Sequence, residues 1–238
     1  MGIAILTIPT FLFVLVFLLL FSCIWRRKIL YPTILLVGIA GLTLIPWMVR
    51  NYYIFQEFGL TTNFGDNFII GNNPCTTPNN GPLAYKCLDE VYHKASLLNL
   101  NEFDKSNYLT NQAMAYWKTD PLHYIHLYIL KTLNYFNYRN DLATQSEASL
   151  GKDILMLISY GLLVIIGFVR LFYYKFIPIT DFEKFHYLLY LLSSFVLALL
   201  FTRIRYRLPF DYCLIIIGGN FLGHLLEGWQ SKSQEALV

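Results

Sequence analysis

The sequence predicts an all-α integral membrane protein with about five transmembrane helices and one extracytoplasmic, mainly helical insert that holds an irregular, turn-rich loop. Three observations carry that fold class. Hydrophobic residues make up 56% of the chain against 14% charged, and the mean hydropathy is +0.47, a balance typical of membrane proteins. Five apolar runs, at 3–25, 30–49, 154–174, 187–202 and 208–226, approach the roughly 20 residues a helix needs to cross a bilayer. Between the second and third runs lies a polar, aromatic-rich stretch with turn and helix patterns of its own. The expected organisation is two helices in 1–49, the insert in 50–150, three helices in 151–227 and a tail at 228–238.

The first run resembles a secretory signal only superficially. No basic residue precedes it, and it outlasts the roughly 7–15 apolar residues of such a segment. It is therefore read as a helix that stays. Its basic residues come only at the far end, in "WRRK", so the start of the chain reads like the interior of a longer protein.

The second run leads into "IPWMVRNYYIFQEFG", which sets Trp47, Tyr52 and Tyr53 at the interfacial level where amphipathic rings settle. The next stretch, "LTTNFGDNFIIGNNPCTTPNNGP", is dense in turn residues. Gly65, Gly71, Asn72, Asn73, Pro74, Asn79, Asn80, Gly81 and Pro82 punctuate a single strand-like run at 67–70. A helical pattern covers 101–118, with Leu109, Ala113, Tyr116 and Trp117 on one side, and Asp120-Pro121 ends it. Pro121 opens a second helix. Leu122, Ile125, Ile129, Leu133 and Phe136 recur there at spacings of three and four, flanked by Tyr124, Tyr128, Tyr135 and Tyr138, which predicts a helix lying in the membrane plane. The last run carries Asp211 within its first turns, where a charge costs less than at the bilayer centre.

Loop charge sets the expected orientation, because Lys and Arg in short loops favour the cytoplasmic side. Arg26, Arg27 and Lys28, the connection with Arg170, Lys175 and Lys184, and Lys232 in the tail all fall on one side. The N-terminus and the insert then lie outside, with the C-terminus cytoplasmic.

"LLFTRIRYRLPF" breaks this bias by placing Arg203, Arg205 and Arg207 outside. Two readings account for them. They snorkel and anchor the helix end, or they bind an anion at the outer interface. Pro209 disfavours helix at Leu208 and predicts an extended segment in which all three point one way; in a helix, Arg203 and Arg207 share a face and Arg205 turns away. The planar guanidinium fork suits phosphate oxygens, which points to a lipid phosphate.

Several chemistries find no pattern. His93, His123, His126, His186 and His224 fall into no metal-ligand spacing, and neither a Gly-rich phosphate loop nor a Ser-His-Asp arrangement is legible. No metal and no cofactor is expected. The net charge of +3 sits mostly in loops facing headgroups, so nucleic acid is not implied. Cys23 and Cys213 fall in apolar runs and read as small hydrophobes. Cys75 and Cys87 are the two outside such runs. The turn residues between them let the chain double back, and an outside location favours a disulfide.

"IPWMVRNYYIFQEFGLTTNFGDNFIIGNNP", then "DPLHYIHLYILKTLNYF", then "RIRYRLPFDYCLIII" together resemble the C-terminal half of bacterial GT-C class membrane glycosyltransferases, related to protein mannosyltransferases (glycosyltransferase family 39) and to the aminoarabinose transferases of lipid A. The resemblance rests on five short motifs in order across 45–219. The chain departs from it at Phe64-Gly65, where the family has two glycines, and at His123 and His126, where it often has basic residues. The resemblance implies a sugar taken from a polyprenyl-phosphate donor on the outer face of the membrane. Fixed positive charge would stabilise the departing phosphate, with Arg205, Arg207 and Arg50 as candidates, while Asn63, Asn72 and Asn73 are candidates for sugar hydroxyls. Asp66 is not promoted to catalyst, because the family pattern has no acid there. The family's acidic first outer loop has no counterpart before Trp25. The chain is accordingly expected to be truncated and inactive alone, with its N-terminal half on a separate chain as one resolution. The alternatives are a non-catalytic accessory membrane protein and a transporter- or flippase-like bundle; the near-absence of polar residues at mid-membrane positions disfavours the second.

Overall fold

The computed structural model describes residues 1–79, 82–139 and 150–235, and every regular element among them is a helix. Asn80 and Gly81 of the expected turn, the end of the insert at 140–149 and the last residues of the tail lie outside the described residues. The chain divides into two units, one of Met1–Leu127 with Leu199–Phe201, the other of Tyr128–Ala198 with Thr202–Val238.

In the first unit, α1 (Gly2–Thr7) and α2 (Phe11–Ile24) replace the single first span that the apolar run suggested. Pro9 is the cause. It pushes Ile8 to an extended φ of −136° and ψ of 91°, and the helix restarts beyond it. At 14 residues α2 reaches about 21 Å, short of the roughly 30 Å hydrocarbon core. α3 (Leu30–Phe55) runs on past the expected end at 49, contains Pro46 and stops at Gln56, whose φ of 59° is left-handed. Ile5, Leu15, Ala40 and Leu44 form a core among these three helices, with Phe11, Leu36, Val37, Met48 and Leu60 packed on it.

The strand-like run at 67–70 is instead part of α4 (Phe64–Gly71). A lone strand would leave its backbone groups unpaired, whereas a helix satisfies them internally. α4 is also wedged by its glycines. A Cβ on Gly65 would strike the backbone of Ser106, and one on Gly71 the carbonyl of Leu200. A 3₁₀ turn at Pro82–Cys87 and α5 (Asp89–Leu97) follow. α6 (Glu102–Thr119) matches the sequence pattern, its N-cap Asn101 accepting from the Asp104 amide at 2.9 Å. α7 (Pro121–Asn134) begins with proline at the first helical position, as expected.

In the second unit, α10 (Ile204–Glu235) packs on α8 (Leu150–Phe172) and α9 (Asp181–Ala198), Tyr128 of α7 donates to the Phe195 carbonyl of α9, and Tyr135 just past α7 accepts from Arg207 of α10. The expected extended segment around Pro209 is absent, because α10 passes through the proline. Pro209 offers no N–H to the carbonyl of Arg205, but an Arg207–Asp211 ion pair spans that turn at 3.1 Å and holds it.

Among the described residues three helical stretches are long and apolar enough to cross a membrane: Arg27–Phe55, Leu150–Lys175 and Ile204–Glu227. The described residues thus form a helical chain with three candidate membrane spans, against five apolar runs in the sequence. Only 17% of the most apolar window is buried in the first two and 39% in the third, so the rest of the chain leaves much of each apolar stretch uncovered, as a membrane-crossing helix requires.

Candidate anion site at the start of the last helix

The three arginines of "RIRYR" separate once α10 is wound. Arg205 is exposed; it lies over the Tyr206 ring at 4.7 Å and donates one bond, from Nη2 to the Tyr206 hydroxyl at 2.7 Å. Its Nε and Nη1 carry no hydrogen bond among the described residues. Arg203 is half-buried and accepts the Tyr206 and Arg207 amides at its carbonyl, which starts the helix.

Arg207 faces inward and is only 2% exposed. Its Nη1 donates to the carbonyls of Tyr135 at 2.9 Å and Asn137 at 2.6 Å, just past the end of α7. Its Nε donates to Asp211, 3.1 Å from Oδ1 and 3.3 Å from Oδ2. The guanidinium carbon lies 3.5 Å from the centre of the Tyr160 ring. Those interactions occupy much of the fork that the sequence offered to a phosphate.

A polar network continues from this pair. Tyr190 donates to Asp211 Oδ1 at 3.1 Å, so the Tyr160 hydroxyl, 3.0 Å from that of Tyr190, is the donor between them. Ser193 donates to the Tyr190 carbonyl at 2.7 Å, which makes the Tyr135 hydroxyl the donor to Ser193 at 2.6 Å. Burial pushes the Tyr135 phenol above its ordinary range, so it stays protonated and able to donate. On the near side of Arg205, Thr202 donates to the Lys131 carbonyl at 3.0 Å and accepts twice from Asn134, at 3.1 Å to its carbonyl and 3.1 Å to its hydroxyl. By sequence alone Asp211 is an interfacial charge; the structure makes it the centre of this network, of which the i,i+4 spacing of Arg207 and Asp211 is the one legible sign.

The other candidate residues are placed as follows. Arg50, exposed near the end of α3, donates to Asn51 Oδ1 at 2.8 Å and lies 5.1 Å from the Trp47 ring centre. Asn63 is exposed at the N-cap of α4, where its side chain makes no cap bond. Asn72 and Asn73 are buried and committed to the fold. Asn72 donates to the carbonyls of Phe68 at 2.8 Å and Leu199 at 2.9 Å and accepts from the Trp117 indole at 3.1 Å. Asn73 donates to the carbonyls of Ile69 and Ile70 and accepts the Cys75 amide at 2.9 Å. "GNN" is therefore a folding element here. Cys75 and Cys87 are joined by a disulfide with Cα atoms 5.8 Å apart. Among the described residues no group of three or more His, Cys, Asp or Glu side chains is gathered to hold a metal.

Comparison with known proteins adds no identity: no family model, no curated protein and no solved structure matches the chain.

Proposed function

We propose that the chain is the C-terminal part of a polytopic membrane glycosyltransferase of the GT-C class, which takes a sugar from a polyprenyl-phosphate donor at the outer face of a bacterial membrane. The observation that carries this reading is the placement of Arg205, an exposed guanidinium with no hydrogen bond to Nε or Nη1 among the described residues, at the start of a helix long and apolar enough to cross a membrane. A lipid phosphate sits at that depth, and a guanidinium there stabilises the charge that develops as the sugar–phosphate bond breaks. Arg50 offers the same chemistry near the end of another candidate span. Asn63 is the one asparagine of the three candidates whose side chain is exposed. The Cys75–Cys87 disulfide supports an outside, oxidising location for the insert. The finer topology in this reading has five crossings, with α1–α2 as a broken first helix and α9 as a short fourth.

The reading holds that this chain transfers no sugar alone and does so when the acidic first-loop half is supplied. Reconstitution of the chain in proteoliposomes with a labelled polyprenyl-phosphate hexose, with and without an N-terminal GT-C half, tests it. Sugar transfer only in the combined preparation, lost in Arg205→Ala, supports it. Transfer by neither preparation contradicts it.

A further inference from the structure

The buried network beside Arg205 has a geometric consequence. Arg205 sits on a six-residue segment fastened at both ends to the same neighbour, the C-terminal end of α7. At one end Thr202 is tied to Lys131 and Asn134 by three hydrogen bonds of 3.0 to 3.1 Å. At the other end Arg207 holds the carbonyls of Tyr135 and Asn137 and is itself fixed by Asp211, which is braced by Tyr190. The segment between the fasteners contains the start of α10, so the backbone that carries Arg205, and with it the direction of its Cα–Cβ bond, is fixed before any anion arrives, and the Tyr206 hydroxyl holds its Nη2 at 2.7 Å.

We infer that Arg207, together with Thr202, is a positioning residue that preorganises Arg205 for a phosphate ester at the membrane interface. The inference rests on the phosphate reading of Arg205 given above. Arg207 does not touch the anion; its charge is spent on Asp211 and on two carbonyls. A lysine there keeps the charge but lacks the planar fork that reaches Asp211 and both carbonyls together. Preorganised donors bind more tightly because no ordering is left to be done on binding.

The test is a double-mutant cycle on the full chain in nanodiscs of phosphatidylcholine, with farnesyl phosphate as the probe and inorganic phosphate as a second arm. Arg205→Ala weakens farnesyl phosphate binding by at least about tenfold, the loss of one charge-assisted bond. Arg207→Lys weakens it about fivefold in the presence of Arg205 and has no further effect in Arg205→Ala, since it acts only through Arg205. Thr202→Val, which leaves the ion pair intact, shows the same dependence and decides the matter if Arg207→Lys does not fold. A purely structural role instead gives the same factor in both backgrounds and overturns the inference, as does unchanged binding in Thr202→Val. Unchanged binding in Arg205→Ala alone overturns the phosphate reading and removes the inference with it. Farnesyl phosphate bound far more tightly than inorganic phosphate assigns the site to a lipid ester; equal affinity assigns it to free phosphate.

Discussion

Arg170 grips both carboxylate oxygens of Glu183, Nε to Oε1 at 2.8 Å and Nη2 to Oε2 at 2.9 Å, with both side chains sealed from solvent. The remaining donors reach the carbonyls of Ile177 at 2.8 Å and Pro178 at 3.1 Å. Glu183 also closes a capping box with Thr180. It accepts the Thr180 amide at 2.9 Å, while its own amide donates to the Thr180 hydroxyl at 3.2 Å. A buried pair this fully satisfied fastens the turn between α8 and α9. Removing one partner leaves a buried charge alone, so Arg170→Ala or Glu183→Ala lowers stability by about 3–5 kcal/mol. Chemical denaturation in detergent micelles measures it, and a loss below about 1 kcal/mol would show that the turn is held by something else.

The disulfide gives a second expectation. Cys75 and Cys87 are 12 residues apart in sequence, and opening a closed loop of that size costs about 2–4 kcal/mol. Membrane-impermeant maleimide on intact cells labels these cysteines only after reduction. Labelling without reduction removes the bridge, and labelling only after the membrane is broken reverses the orientation.

Burial lowers the Lys131 ammonium from the ordinary lysine range to about 7. The sign follows from linkage. Between pH 7 and the unfolded lysine value of about 10.4 the unfolded chain holds a proton that the folded chain has released, so stability rises with pH across that window. The nearby Tyr124, Tyr128 and Tyr135 phenols are raised by burial and oppose this trend only above about pH 10. Stability measured from pH 7 to 9.5 therefore climbs in the native chain and is flatter in Lys131→Met. Parallel curves would contradict the assignment.

α7 carries a fourth expectation. Leu122, Ile125, Ile129, Leu133 and Phe136 are all exposed, while Tyr124, Leu127, Lys131 and Tyr135 on the opposite side are buried. A helix with an apolar outer stripe and its polar anchors turned inward suits the headgroup–acyl boundary. Spin labels at Ile125 and Ile129 are then more accessible to oxygen than to a nickel chelate in bilayers, and a label at His93, exposed on α5, shows the reverse. Equal chelate access at all three positions would place α7 in water.

The helical class, the bounds of α6 and the start of α7 were legible because each rests on local chemistry: periodicity, the Asn101 cap and Pro121 at a helix start. Most of what escaped the sequence depends on contacts between distant residues. Nothing local shows that Gly71 must admit the Leu200 carbonyl, which is why 67–70 read as a strand and folded as helix. Arg205 and Arg207 look equivalent in "RIRYR", yet the carbonyls of Tyr135 and Asn137, some 70 residues away, claim only the second. The break at Pro9 was local and could have been read, since Ile8 precedes a proline in an otherwise apolar run.

The central claim is that an exposed guanidinium at the start of α10 binds a lipid phosphate. The most direct measurement compares farnesyl phosphate with farnesol as ligands of the full chain in phosphatidylcholine nanodiscs, at low and high salt. The account predicts at least about tenfold tighter binding of the phosphate ester, an advantage that shrinks as salt rises and vanishes in Arg205→Ala. Equal affinity for ester and alcohol, or an advantage that survives Arg205→Ala unchanged, would contradict it.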